Sequence, residues 1–203
     1  MAGAIALADT LLDALPQTQC TRCGYADCRG YALAMAGEGS AINRCPPGGA
    51  EGVVRLARLT GRQELALDAS CGTESPRLLA LVDEAACIGC ALCLKACPVD
   101  AILGAAKQTH TVIDELCTGC ELCVPACPVD CISLVSAGSN STGWAAWSTA
   151  QAQTARQRHA ERLARIEPAA TDVHESSVGP AGAMRRNAVA TALARARVER
   201  STR

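Results

Sequence analysis

The chain contains no phenylalanine, and only two tyrosines and two tryptophans among its 203 residues, so the large aromatic side chains that usually fill a core are scarce. No run of 18 or more apolar residues occurs, which leaves no segment expected to cross a bilayer as a helix. The opening stretch MAGAIALADTLLDALPQ has no Lys or Arg, and Asp9 and Asp13 interrupt its apolar run, so it does not read as a secretory leader. Without export the expected compartment is the cytoplasm, where thiols stay reduced. No G-x-G-x-x-G, P-loop, G-x-S-x-G or H-E-x-x-H motif is found, which removes the case for nucleotide, flavin or hydrolase chemistry. His110, His159 and His174 share no ligand spacing with one another or with acidic residues, and no independent catalytic site is expected.

What the chain does have is fourteen cysteines. That proportion is below a disulfide scaffold and well above an ordinary cytosolic enzyme. In a reducing compartment, and with few aromatics to build a core, it points to stability drawn from bound metal. Charge is unevenly spread: residues 1–135 carry 9 Lys/Arg against 15 Asp/Glu, whereas residues 136–203 carry 10 against 5. An acidic front is followed by a basic tail. The tail's arginines alternate with Ala and Gln rather than with aromatics, so no nucleic-acid partner is expected.

Ile5, Leu7, Leu11, Leu12 and Leu15 recur at helical spacing, which predicts a short amphipathic helix over 4–15. A second helix is expected at about 50–60, AEGVVRLARLT. The expected layout is a four-cysteine module over 1–60, a linker over 61–80, a second domain over 81–135, and an Ala/Arg-rich tail over 136–203, partly helical or disordered. Trp144 and Trp147 are expected to pack locally where the tail leaves the core.

An internal repeat dominates the middle. Cys87–Ile102 reads CIGCALCLKACPVDAI and Cys117–Ile132 reads CTGCELCVPACPVDCI, identical at 11 of 16 positions with an offset of 30 residues. Each copy is C-x2-C-x2-C-x3-C-P, the run in which three thiolates hold one iron–sulfur cubane and the fourth reaches the other. Cross-ligation predicts Cys87, Cys90, Cys93 and Cys127 on one 4Fe–4S cluster, and Cys97, Cys117, Cys120 and Cys123 on a second. Zinc knuckles pair at longer separation and fit this spacing badly. Gly89 and Gly119 are expected in turns that bring N–H groups toward sulfur, and Asp100 and Asp130 in local turns. Lys95 is expected as a solvated loop residue, and Cys131 as a small buried residue or a thiol beside the ligands.

Cys20, Cys23, Cys28 and Cys45 are spaced C-x2-C-x4-C-x16-C. Both zinc and a cubane accept four thiolates in near-tetrahedral arrangement, so these residues alone leave the two open. Cys71, in DASCGTE, is expected as a free surface thiol.

The two repeats resemble the bacterial two-cluster ferredoxin domain. Together with LPQTQCTRCGYADCRGYALAM and INRCPPGG ahead of them, they resemble the B subunit of the Rnf/Rsx ion-translocating electron-transport complex over about residues 11–135, in a form without the N-terminal membrane helix of that family. The resemblance implies that Cys20, Cys23, Cys28 and Cys45 hold a third 4Fe–4S cluster. It implies an α+β fold, in which a small helical four-cysteine iron–sulfur module precedes a pseudo-twofold ferredoxin-type domain and a helical or disordered tail. The expected function is single-electron transfer between redox partners, including other subunits of such a complex, from a cytoplasmic position or the inner face of the membrane through protein contacts only. A stand-alone ferredoxin and a redox-sensing iron–sulfur regulator are the alternatives.

Overall fold

The computed structural model describes residues 2–176, with side chains described over 3–166. The chain divides after Ala160, and the described residues up to there form one compact unit. This unit opens with α1 (Ala2–Asp13), which starts earlier than the sequence pattern suggested. Leu15 stays in register through a turn in which its N–H bonds the Leu12 carbonyl at 3.1 Å. Helix α2 (Cys28–Leu33) is capped by Asp27, whose side chain accepts from the Gly30 N–H at 2.6 Å, the role for which a short acceptor at that position is favoured. It continues as a wider turn over Ala34–Glu38 and stops at Gly39, which is left-handed at φ 72°. Helix α3 (Gly49–Thr60) closes the module and ends at Gly61, again left-handed.

These three helices bury Leu11, Leu15, Tyr31, Met35, Ile42 and Leu56 almost completely. Tyr31 is the module's one buried aromatic ring. It stacks on Tyr25 at 5.4 Å and donates its hydroxyl to the Ala41 carbonyl at 2.7 Å. A core this small works because each large side chain is fully used.

The repeat folds as a pair of related halves. Strand β1 (Leu78–Val82) pairs antiparallel with β4 (Ile132–Ser136), and β2 (Ile102–Leu103) with β3 (Thr111–Val112). The registers correspond at the 30-residue offset: Val82 faces Ile132, and Val112 faces Ile102. The next bonds correspond too, with Asp83 N to Cys131 O and Ile113 N to Ala101 O both at 2.8 Å. A short helix, α4 (Leu92–Ala96), lies within the first copy and carries Lys95 in its last turn. The sequence repeat is therefore a spatial pseudo-twofold, and the architecture is α+β.

The segment after the repeat returns to the front module. Trp144 is buried against α1 and α3: its indole N–H donates to the Ala14 carbonyl at 2.9 Å, and Arg55 lies over its ring at 4.0 Å. This corrects the expectation of local packing, because its partners come from the other end of the unit's sequence. Trp147 does sit beside the repeat domain, with Arg77 over its ring at 4.4 Å. Helix α5 (Thr149–Ser176) starts on the compact unit, burying Ala152 and Ala155, and Arg158 donates to the Val99 and Asp100 carbonyls at 2.8 and 2.9 Å. Of the expected tail, residues 177–203 lie outside the described residues, as does the side chain of His174.

Replacing Trp144 with Ala is expected to cost about 3–5 kcal/mol of stability, and replacing it with Phe markedly less, measured by urea unfolding of the metal-loaded chain.

Candidate metal centres

The first cysteine group is built by a backbone that turns left-handed repeatedly, at Gln17 (φ 61°), Gln19 (φ 56°), Thr21 (φ 60°) and Gly24 (φ 87°). Such residues need outside support, and buried glutamines supply it. Gln17 donates its amide to the Leu12 and Leu15 carbonyls; Gln19 donates to Gln17 at 3.2 Å and accepts from the Cys28 N–H at 2.9 Å. This loop carries Cys20 and Cys23 back over the start of α2, where Cys28 sits. Cys45 joins them as the residue that caps the turn Pro46–Gly48; a β-carbon at Gly48 would touch its sulfur, at 3.4 Å.

The four sulfurs are close enough to feel one another. Burial pushes the Cys28 thiol far above its ordinary value, and the neighbouring Cys20 and Cys23 add to it. Cys45 is raised likewise, by burial first and then by Cys28 and Cys20. A thiol in that position stays protonated unless a cation offsets the charge of its anion.

In the repeat the loop geometry is duplicated. Gly89 and Gly119 are left-handed at φ 69° and 65°, followed two residues later by Ala91 and Glu121 at φ 61° and 67°. At Gly89 a β-carbon would lie 2.7 Å from the Gln108 nitrogen, and at Gly119 it would run into the Leu78 carbonyl oxygen, so both positions need glycine for space as well as conformation. Asp100 and Asp130, after C-P-V, take φ 50° and 51° and turn the chain back. Two cavities result. One is lined by Cys87, Cys90, Cys93 and Cys127, the other by Cys97, Cys117, Cys120 and Cys123, the two sets that cross-ligation predicts.

Backbone N–H groups aim at these sulfurs: Ala101 N at Cys97 Sγ (3.2 Å), Cys131 N at Cys127 Sγ (3.4 Å) and Ala80 N at Cys117 Sγ (3.5 Å). Such donors stabilise sulfur carrying negative charge. Burial raises Cys120 to about 11 and Cys123 to about 12, with neighbouring cysteines adding to both. Burial also raises Cys93. Among the described residues no group of three or more His, Cys, Asp or Glu side chains gathers as the ligands of a single metal ion would. Four candidate ligand sulfurs line each cavity, and Glu121, the one carboxylate among the lining residues, is paired with Arg22; such sulfur sets suit a multi-atom iron–sulfur cluster better than one zinc ion.

Cys71 and His110 sit differently from expectation, whereas Cys131 sits as expected. Cys71 is buried, not a surface thiol: the turn Ala69–Cys71 folds onto the front module, where the Arg44 guanidinium lies 3.4 Å from its sulfur and 3.8 Å from Asp68. Cys131 is buried with its sulfur 3.4 Å from that of Cys127. His110, expected to have no site role, is 2% exposed, with Nδ1 3.3 Å from Cys93 Sγ and 3.6 Å from Cys87 Sγ. Its sequence signal was the repeat itself: it stands 30 residues after Ala80, a position outside the conspicuous 16-residue match.

Two four-cysteine cavities on one duplicated loop define a 4Fe–4S dicluster protein, and the family model described as a 4Fe-4S dicluster domain matches residues 80–134. A second family model, described as "Putative Fe-S cluster", matches residues 15–47. The chain belongs to the family formed by the B subunits of ion-translocating oxidoreductase complexes. The relative so named from Alkalilimnicola ehrlichii is 55% identical over 153 residues, covering 74% of this chain and 81% of the relative. One from Azoarcus sp. is 57% identical over 110 residues, covering 54% of this chain and 60% of the relative. One from Thiobacillus denitrificans is 55% identical over 107 residues, covering 53% and 57%. The chain thus spans under two thirds of the length of the last two relatives. No solved structure matches it.

Anaerobically loaded protein is expected to hold about twelve iron and twelve sulfide per chain. Cys45→Ala is expected to lower both by about four and to leave the ferredoxin-type absorption in place, while Cys123→Ala removes about four from the other domain. Colorimetric iron and sulfide assays read both.

Proposed function

We propose that this chain is an electron-transfer subunit that holds three 4Fe–4S clusters. On this reading Cys20, Cys23, Cys28 and Cys45 hold the first, Cys87, Cys90, Cys93 and Cys127 the second, and Cys97, Cys117, Cys120 and Cys123 the third. When bound, each cluster supplies a one-electron couple. The polypeptide supplies thiolates, N–H donors to sulfur, and apolar walls that keep water away. The observation that carries the reading is the pair of duplicated four-cysteine cavities, with a third four-cysteine group clamped beside one of them.

That clamp supports a linear order of sites. The Thr118 hydroxyl, next to Cys117, donates to the Thr18 carbonyl at 3.0 Å, and Arg22 pairs with Glu121 at 2.5 Å. Both links join the loop of Cys20 and Cys23 to the loop of Cys117 and Cys120. The front group then neighbours the Cys97, Cys117, Cys120 and Cys123 site, and the Cys87, Cys90, Cys93 and Cys127 site lies one step further on.

The relatives are named as subunits of an ion-translocating oxidoreductase complex, which supports other subunits of such a complex as the redox partners. Among the described residues no helix is long and apolar enough to cross a membrane, so we place the described part at the inner face of the membrane through protein contacts. The acidic front of the chain suits brief docking on a basic partner surface.

After reduction with dithionite, low-temperature EPR is expected to integrate to about three spins per chain. About two would confine the reading to the repeat domain, and none, with zinc in place of iron, would end it. In cells that carry the intact complex, the chain is expected to pellet with membranes; complete recovery in the soluble fraction would remove stable membership.

A further inference from the structure

The duplicated cages invite a residue-by-residue comparison. All ten residues lining the Cys87, Cys90, Cys93 and Cys127 cavity have their 30-residue counterparts lining the other, and seven of the ten are the same residue. The three that differ are His110 against Ala80, Cys131 against Ala101, and Ile88 against Thr118. Two of these place a side-chain donor against sulfur in one cage and a methyl group in the other. The third does not restore the balance. Thr118 hydrogen-bonds to Cys120, but its single hydroxyl proton is shared with the Thr18 carbonyl, to which it donates at 3.0 Å, so it offsets only part of what the other two supply. Two cations lie on that side: Arg77 donates to the Cys117 carbonyl and lies over Trp147, and Arg22 is paired with Glu121.

We infer that His110 and Cys131 are positioning residues that donate hydrogen bonds to the ligand sulfurs of the Cys87, Cys90, Cys93 and Cys127 site, making its cluster easier to reduce than the same cage without them; this rests on the function proposed above. Ligand thiolates carry no proton, so a contact between His110 Nδ1 and the sulfurs of Cys93 and Cys87 at 3.3 and 3.6 Å is favourable only with Nδ1–H as the donor. Nε2, which is buried and has no partner, is then a bare lone pair rather than a stranded N–H. A neutral ring is sufficient. Cys131 keeps its proton in the same way: its sulfur is 3.4 Å from Cys127 Sγ, and with Cys127 as the thiolate, Cys131 S–H is the donor. A donor to sulfur favours the state in which that sulfur carries more negative charge, which is the reduced one.

The fold makes space for this imidazole. A β-carbon at Gly104 would run into the His110 ring, and Gly104 has φ 152°. The 30-residue counterpart of Gly104 is Leu134, which faces Ala80 across the β1–β4 pair. One half therefore places a small residue beside a large one as Ala80 with Leu134, and the other as Gly104 with His110. The exchange keeps one small and one large residue while placing a ring nitrogen in only one of the two cages.

The test uses the full chain, loaded with clusters anaerobically. In unmutated protein labelled with 15N-histidine, pulsed EPR of the reduced state is expected to detect a histidine nitrogen coupled to one cluster. In EPR-monitored redox titration, His110→Ala is expected to lower the midpoint of one repeat-domain cluster by roughly a tenfold change in its reduced-to-oxidised ratio, about 59 mV for one electron. Cys131→Ala is expected to lower the same midpoint by a smaller step with iron content unchanged, since it copies the residue already present as Ala101. If His110→Ala sheds its cluster, the nitrogen coupling and the Cys131→Ala titration still decide. Full iron content with no histidine coupling and an unmoved midpoint in Cys131→Ala would overturn this inference alone; absence of iron from every form would overturn the proposed function beneath it.

Discussion

A buried thiol resists losing its proton, and several buried together resist more strongly, because each thiolate repels the next. This is the condition of Cys28 and Cys45 in the front group and of Cys93, Cys120 and Cys123 in the repeat, where burial is the largest cause of the raised thiols and neighbouring cysteines add to it; at Cys127 burial is outweighed by hydrogen bonds to its sulfur, which lower it. Only a strongly cationic occupant reverses that balance, so the energy that holds the loops in place is tied to what they bind. The rest of the chain arranges itself around this constraint. Left-handed residues curl the backbone so that N–H groups face sulfur, and small helices and strand pairs cover the result.

The front module and the repeat meet that constraint by different means. In the repeat, two short sheets with corresponding registers enclose two cavities, and glycine at 89 and 119 lets neighbouring backbone approach. In the front module, buried glutamine side chains brace a run of left-handed residues, and a three-helix core with one buried tyrosine backs them. Trp144 and the first turns of α5 then fasten the chain's return to both parts.

Much of this was legible in the residues. The repeat fixes its own pseudo-twofold because identical spacing forces identical loops, and the strand registers follow from it. The helix at 50–60 and the front helix were visible as apolar periodicity. What was not legible depends on contacts between distant segments. Cys71 looked like a linker thiol because nothing near it in sequence announces Arg44. Trp144 looked local because Ala14 and Arg55 come from far upstream. His110 has no ligand spacing of its own; it becomes visible only when the repeat is extended beyond its cysteines to the strand that runs past the cage, where Ala80 stands in the other copy. Family membership accounts for the order of the modules, and the asymmetry between the two cages is a property of these particular side chains.

The central claim is that all three cysteine groups hold iron, and that the front one is not a zinc knuckle. Anomalous diffraction from anaerobically grown crystals, recorded on either side of the iron and zinc absorption edges, addresses each group separately. Iron signal is expected within the cysteines at 20–45 and in both cavities of the repeat. Zinc signal at the front group, or no metal there while the repeat is fully loaded, would contradict it.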